Sequence, residues 1–187
     1  MAGPIAFLDA NVLYPAQLRN LLMHLSLQGV FQPRWSRDVH EEWISNLLIN
    51  RPDLNRRQLD RTRRLMDKHA VGALVTGYEK LIPGLTLPDN NDRHVLAAAI
   101  HTGASVIVTR NLTDFPSNKV QKFRIGVQHP DEFVLHLIGL DPAGVSKAAG
   151  IHRKSLKNPA MTVAQYLGML ELQGIPQFVN AVQDTLT

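Results

Sequence analysis

The chain has 187 residues, 44% hydrophobic and 19% charged, with no cysteine and a formal net charge of +4. That length and apolar content suit one globular domain with a small appendage, and the lack of cysteine excludes disulfides, thiolate metal sites and cysteine nucleophiles. The basic balance permits a polyanionic partner without demanding one. The first apolar run breaks at Asp9 after four residues, too early for a signal peptide. No run approaches the roughly 18 apolar residues of a membrane helix, so a cytoplasmic protein with no membrane partner is expected.

Ile5–Leu8 reads as a short buried strand. Leu18, Leu21, Leu22 and Leu25 recur at helical spacing and predict an amphipathic helix. Phe31–Trp35 reads as a second strand. Ser36 is a good N-cap, and Val39, Trp43, Leu47 and Leu48 hold a helical period behind it. Pro52 interrupts, a helix follows from about Asn55 to Lys68, and Ala70–Thr76 fits either a helix end or a strand. LIPGLTLPDNND, with two prolines and a glycine, reads as a loop or edge passage. DRHVLAAAIHTG is a helix with Asp92 at its start and Gly103 at its end. Ser105–Thr109 and Phe123–Val127 read as strands, and PDEFVLHLIGL as a helix with proline in its first turn. Alternating strands and helices imply a parallel sheet covered on both faces. From Asp141 onward only helices are expected, roughly Pro142–Lys157, Thr162–Gln173 and Pro176–Leu186. Residues 1–140 are thus read as the main domain and 141–187 as a helical C-terminal extension.

In open parallel sheets, ligands bind beyond the C-terminal ends of the strands. Asp9 ends the first strand, Asp114 follows the strand SVIVT, Asp92 opens a helix after the loop, and Glu41 or Glu42 lies early in the helix behind Trp35. Each acid alone has a plain structural reading as a helix or turn cap. Together they could meet at one sheet edge. Two carboxylates about 4 Å apart repel by roughly 4 kcal/mol at an effective dielectric near 20. A cluster therefore holds protons or a cation. Oxygen ligands select hard ions, Mg²⁺ or Mn²⁺, and such ions serve phosphodiester hydrolysis.

FLDANVLYP, WSRDVHEEWISNL and LPDNNDRHVLAAAIHTGASVIVTRNLTDFP stand here in order. In these segments the chain resembles the PIN-domain ribonucleases, in particular the toxin-like (VapC-type) PIN proteins of bacterial toxin–antitoxin pairs. The resemblance covers roughly Ile5 to Leu140, and HRKSLKNPAMTVAQYLGML is similar to an extension carried by a subset of these proteins. It implies a three-layer α/β/α PIN-like fold and a metal-dependent endoribonuclease with an RNA substrate. It also implies a cognate antitoxin as partner and a tendency to form homodimers. Carried across, the metal-holding and catalytic acids are Asp9, Glu42, Asp92 and Asp114. Glu42 is preferred to Glu41 because the family's acid directly precedes an apolar helix residue, here Trp43. Asn111 stands where the ending can carry its acid, as a weaker neutral helper. Asn11 and Thr109 match positions that orient the acids or the water. Asp89 is a further candidate, with turn capping beside Pro88 as the alternative.

Between Arg51 and Lys68, seven Lys or Arg stand against three Asp, a surplus equal to the chain's whole net charge. Arg57, Arg61, Arg64 and Lys68 draw one basic stripe along the predicted helix, suited to RNA phosphates. The alternative is a solvated face with Arg56–Asp60, Asp60–Arg64 and Arg63–Asp67 paired. HRKSLK at His152–Lys157 is a second basic cluster that could touch RNA or an antitoxin tail, with a solvated face again as the alternative. Trp35, Trp43 and Phe115 read as core. His94 sits two residues after Asp92, about 200° around a helix, and is expected to face away from the acids. Two other functions compete. A covalent phosphohydrolase would use Asp9 as nucleophile, but Asn11 stands where its second acid belongs. A PIN-like scaffold would bind RNA or a partner without cutting, and the complete set of acids argues against it.

Overall fold

In the computed structural model, which describes residues 3–186, the apolar runs become a five-stranded parallel sheet. β1 (Ile5–Leu8), β2 (Gln32–Ser36), β3 (Leu74–Val75), β4 (Val106–Val108) and β5 (Gly126–Gln128) lie in the order β3-β2-β1-β4-β5. Helices cover both sides, the α/β architecture expected for a PIN-like fold with added C-terminal helices. β1 is the central strand and β4 lies beside it, and the apolar side chains of both are buried almost without interruption, as in sheets covered on both faces.

The strand order decides where a site forms. From β1 the chain steps outward through β2 and β3, then returns to β1's other side for β4 and β5. The order reverses between β1 and β4, which opens a crevice beyond their C-terminal ends. Register carries Leu8 beside Val108, so the next residues, Asp9 and Thr109, emerge together at that crevice.

The helices are α1 (Ala10–Leu13), α2 (Ala16–Leu27), α3 (Arg37–Asn50), α4 (Arg56–His69), α5 (Arg93–His101), α6 (Ser117–Val120), α7 (Pro130–Leu140), α8 (Pro142–Ser155), α9 (Val163–Glu171) and α10 (Pro176–Leu186). Pro15 separates α1 from α2, where a proline cannot donate into a continuing helix. In α5 Val95, Leu96, Ala97, Ala98 and Ala99 are all buried. Burial of consecutive residues means enclosure on every side of the helix, and the alanines let it lie close against β1, β2 and β4. Two 3-10 turns bracket the loop LIPGLTLPDNND: Glu79–Gly84, which begins two residues ahead of it, and Asn90–Asp92 at its end. β5 begins later than its predicted Phe123, because Gln121–Phe123 is a 3-10 turn ended by Arg124 in the left-handed region (φ 58°).

The C-terminal helices join the same apolar core, with α8 against α2 and α10 against α7 and α9. Two charged residues of the preceding chain hold the α9–α10 corner. Arg110 donates from Nη2 to the Gln173 carbonyl at 2.6 Å. Buried Asp131 of α7 accepts from the backbone N–H groups of Gln177 (3.0 Å) and Phe178 (2.9 Å). A cation thus sits at the carbonyl end of α9 and an anion at the N–H end of α10, each at the pole that favours it. Gly174 turns the corner with φ +76°, and a Cβ there would stand 3.2 Å from Arg110 Nη1, so both conformation and space call for glycine.

Candidate active site

Asp9 is almost fully buried and serves as both helix cap and site wall. Its Oδ1 accepts from the Ala10 N–H at 2.7 Å, capping α1. Its Oδ2 accepts from Asn11 Nδ2 and from the Thr109 hydroxyl, each at 2.7 Å. Thr109 is wholly buried, and its oxygen also accepts from Asn11 Nδ2 (3.0 Å) and the Asn111 N–H (3.1 Å). Asn11 Oδ1 accepts from the Arg110 N–H at 3.0 Å. The end of β1 and the end of β4 are thereby tied into one polar network, every member of which has partners. Burial raises the Asp9 carboxyl above its ordinary value and the Glu42 charge adds to this, against the opposing hydrogen bonds of Thr109 and Ala10.

A cavity of about 350 Å³ opens over Asp9 and is lined also by Ala10, Asn11, Tyr14, Glu42, Asn46, Asn50, Asp92 and Asn111. Of the two adjacent glutamates, Glu42 reaches this cavity. Glu41 turns to α4, where Arg56 Nη2 donates to both its oxygens at 2.8 Å. Asp92 ends the Asn90–Asp92 turn and makes no capping hydrogen bond. Its carboxyl is pushed up to about 6, by burial first and then by the charges of Asp9, Asp114, Asp89 and Glu42. Asp114 and Asp89 stand outside the cavity lining and act on Asp92 through charge. Asp89 caps the 3-10 turn by accepting from the Asn91 N–H at 2.8 Å, while Asn111 lines the cavity itself.

His94 corrects the sequence reading. It faces the site, with Nε2 at 3.6 Å from Glu42 Oε1. Asp92 belongs to the 3-10 turn and α5 begins at Arg93, so the α-helical angle between residues 92 and 94 does not apply. Burial alone would lower His94, but contact with Glu42 and the charges of Glu42, Asp38 and Asp9 outweigh it and hold the imidazole above its ordinary value.

The basic stripe lies elsewhere. Arg57, Arg61, Arg64 and Lys68 are exposed on α4. Among the described residues no ion pair or side-chain hydrogen bond engages them. The expected pairing holds only for Arg56 with Asp60. Arg63 approaches Asp60 at 3.8 Å instead, and Asp67 accepts from Trp35 Nε1 at 2.8 Å and contacts His40 Nε2 at 3.1 Å. In the second basic cluster His152 is buried against the Tyr166 hydroxyl (3.0 Å) and Arg153 donates to the Met161 carbonyl (2.9 Å), so Lys154 and Lys157 are the exposed cations there. Trp35, Trp43 and Phe115 are core, as expected. The sequence reading missed Tyr14, Asn46 and Asn50 in the cavity. The asparagines carried a signal, because residues 42, 46 and 50 repeat at the helical i, i+4 interval.

An acid with a raised value destabilises the fold when it ionises. Below about pH 4 Asp92 is protonated in both states; between 3.8 and about 6 the native state binds more protons. Stability in chelator therefore falls as pH rises through that window. His94, raised in the fold, contributes stability that is full below its ordinary value and is also lost as pH rises. Asp92→Asn should melt higher than wild type at pH 7 in chelator and should flatten the acid part of the decline. Thermal unfolding across this pH range checks it, and an unchanged profile would sink the electrostatic account.

Fold and site together define a PIN-domain protein. The family described as "PIN domain" matches residues 6–113, more than half of the chain, and the chain belongs to it. The family described as "VapC50 C-terminal domain" matches residues 130–184. The chain is similar to a protein named "Putative ribonuclease VapC50" from Mycobacterium tuberculosis (strain ATCC 25618 / H37Rv). The two are 44% identical over 71 residues, which is 36% of this chain and 40% of that protein. No solved structure matches.

Proposed function

We propose that this protein is a divalent-metal-dependent endoribonuclease and the toxin of a type II toxin–antitoxin pair. Asp9, Glu42, Asp92 and Asp114 hold the ion and carry the chemistry in this reading, with Asn11, Thr109 and Asn111 orienting them. One observation carries it: Asp9, Glu42 and Asp92 line one cavity at the sheet's reversal point, and no Lys or Arg lines it with them. The donor set is all oxygen and fits Mg²⁺ or Mn²⁺. The raised Asp9 and Asp92 fit too, since acids whose ionisation is penalised gain most from a cation. Among the described residues no three His, Cys, Asp or Glu side chains are grouped tightly enough to grip an ion as they stand, so binding involves their drawing together.

When bound, Mg²⁺ or Mn²⁺ supplies Lewis acidity to the scissile phosphoryl group and a more acidic water. The chain supplies the rest. Thr109 and Asn11 fix the Asp9 carboxylate, and one of the carboxylates takes the proton released by the attacking water. The main domain, 1–140, carries this site, with 141–187 as its extension. An RNA substrate, a cognate antitoxin, a homodimer and a cytoplasmic setting belong to the same reading. Among the described residues no helix is long and apolar enough to cross a membrane. The test is incubation of purified protein with single-stranded RNA and Mn²⁺. Cleavage abolished by chelator is expected; RNA retained but never cut would favour a binding scaffold.

The α4 stripe is assigned the flanking phosphates. Each phosphate of a single strand that is neutralised contributes about 0.7 to the salt slope of binding. Replacing Arg57, Arg61, Arg64 and Lys68 by Gln should lower that slope in proportion to the number of phosphates no longer neutralised, and should weaken RNA binding uniformly across sequences. An unchanged slope in fluorescence titrations would return the stripe to an ordinary solvated face.

A further inference from the structure

We infer that Asn46 and Asn50, with Tyr14, form a subsite that reads the base of a single-stranded RNA nucleotide adjoining the scissile phosphate. This rests on the ribonuclease reading and deepens it. Glu42, Asn46 and Asn50 lie at i, i+4 and i+8 on α3 and line one cavity. Along the helix axis the two amides stand about 6 and 12 Å beyond Glu42. The cavity therefore has two chemically different ends. One holds the carboxylates of Asp9, Glu42 and Asp92. The other holds neutral amides and a phenol ring.

Neutral amides serve neither acid–base chemistry nor a hard ion as carboxylates do. They carry a donor pair and an acceptor in one plane, which is what a base edge needs for two-point recognition. Asn46 and Asn50 are both exposed, and among the described residues neither side chain has a hydrogen-bond partner, so both have their full bonding capacity to offer. Asn11 differs in this respect, its side chain being engaged with Asp9, Thr109 and the Arg110 N–H. Tyr14, at the end of α1, also lines the cavity; it is half-buried and packs partly against the core, and its ring is of the kind on which bases stack. It also lines an adjoining cavity of about 490 Å³ that reaches Arg51, Gln58 and Thr62 at the foot of α4. A strand leaving the acids past Tyr14 thus heads for the helix that carries the basic stripe. A splayed single strand meets these features, whereas a duplex keeps its base edges paired.

The test compares wild type with Asn46→Ala/Asn50→Ala on a pool of random-sequence single-stranded RNA with Mn²⁺, sequencing the product ends. Wild type should enrich one base on one side of the cut by about tenfold, the scale of a good two-point contact. The variant should lose that enrichment while total cleavage falls much less. In parallel, Asp9→Asn with and without the two alanines is titrated with short A, C, G and U oligomers. The same base preference should appear in affinity and vanish with the asparagines. Enrichment that survives in the double variant, or a wild type that cuts without base preference, overturns the subsite and leaves the nuclease standing. A wild type that cuts no RNA overturns the nuclease reading and this inference with it.

Discussion

Asp9→Asn is expected to lower metal-dependent RNA cleavage on the order of 10³-fold, the scale of several kcal/mol of lost charge stabilisation. The same change should leave the fold intact. An amide occupies the same volume, and the buried position penalises the charge that is removed. Metal-free Asp9→Asn should therefore remain folded, with the relief of a buried charge set against the hydrogen bonds that the amide NH2 cannot accept from Asn11 and Thr109, and the rise in Tm that Mn²⁺ gives wild type should disappear. Cleavage rates in excess Mn²⁺ and paired melting curves read both halves. A variant that cuts as fast as wild type ends the assignment of Asp9.

Thr109→Val is the second large effect. The hydroxyl donates to Asp9 Oδ2 and accepts from Asn11 Nδ2 and the Asn111 N–H. Valine keeps the shape, leaves the Asn111 N–H without a partner, and takes one of two hydrogen bonds from each of Asp9 Oδ2 and Asn11 Nδ2. Losing an outer support of a ligand costs about 10–100-fold in metal affinity or activity. Leaving buried polar groups without partners costs about 1–3 kcal/mol of stability. The Asp9 carboxyl should also rise further, since the Thr109 hydrogen bond is what chiefly holds it down. Thr109→Ser restores the hydroxyl and should recover most of both losses. Steady-state rates and denaturant midpoints of the three proteins measure this. A fully active valine variant would reduce Thr109 to packing.

The sheet and its crevice were legible because the strands are short apolar runs ended by polar residues. Asp9 marked the end of β1, and Thr109 the end of β4. The alanines of α5 announced a helix pressed against strands. What stayed hidden depends on local geometry or long-range contact. His94 was misread because Asp92 lies in a 3-10 turn, which no periodicity reveals. The start of β5 slipped because Arg124 adopts a left-handed conformation with a non-glycine residue. Glu41 and Glu42 separate only once α4 brings Arg56 to one of them. The asparagines of α3 were visible as an i, i+4 pair, but a cavity had to be present to give the spacing meaning.

The corner between α9 and α10 has a consequence for how such chains recombine. Arg110 holds Gln173 with its guanidinium while its own backbone N–H holds Asn11. Asp131 holds the next helix from α7. The α9–α10 corner is therefore tied to two remote positions, Arg110 after β4 and Asp131 in α7. The groups they hold are backbone groups, so a hybrid with foreign helices after α7 keeps both contacts only where its own corner brings a carbonyl to Arg110 and two N–H groups to the buried Asp131 carboxylate. A swap of these helices that carries residues 110 and 131 with the corner should therefore keep more of its stability than one that leaves them behind, as denaturant midpoints of the two hybrids would show.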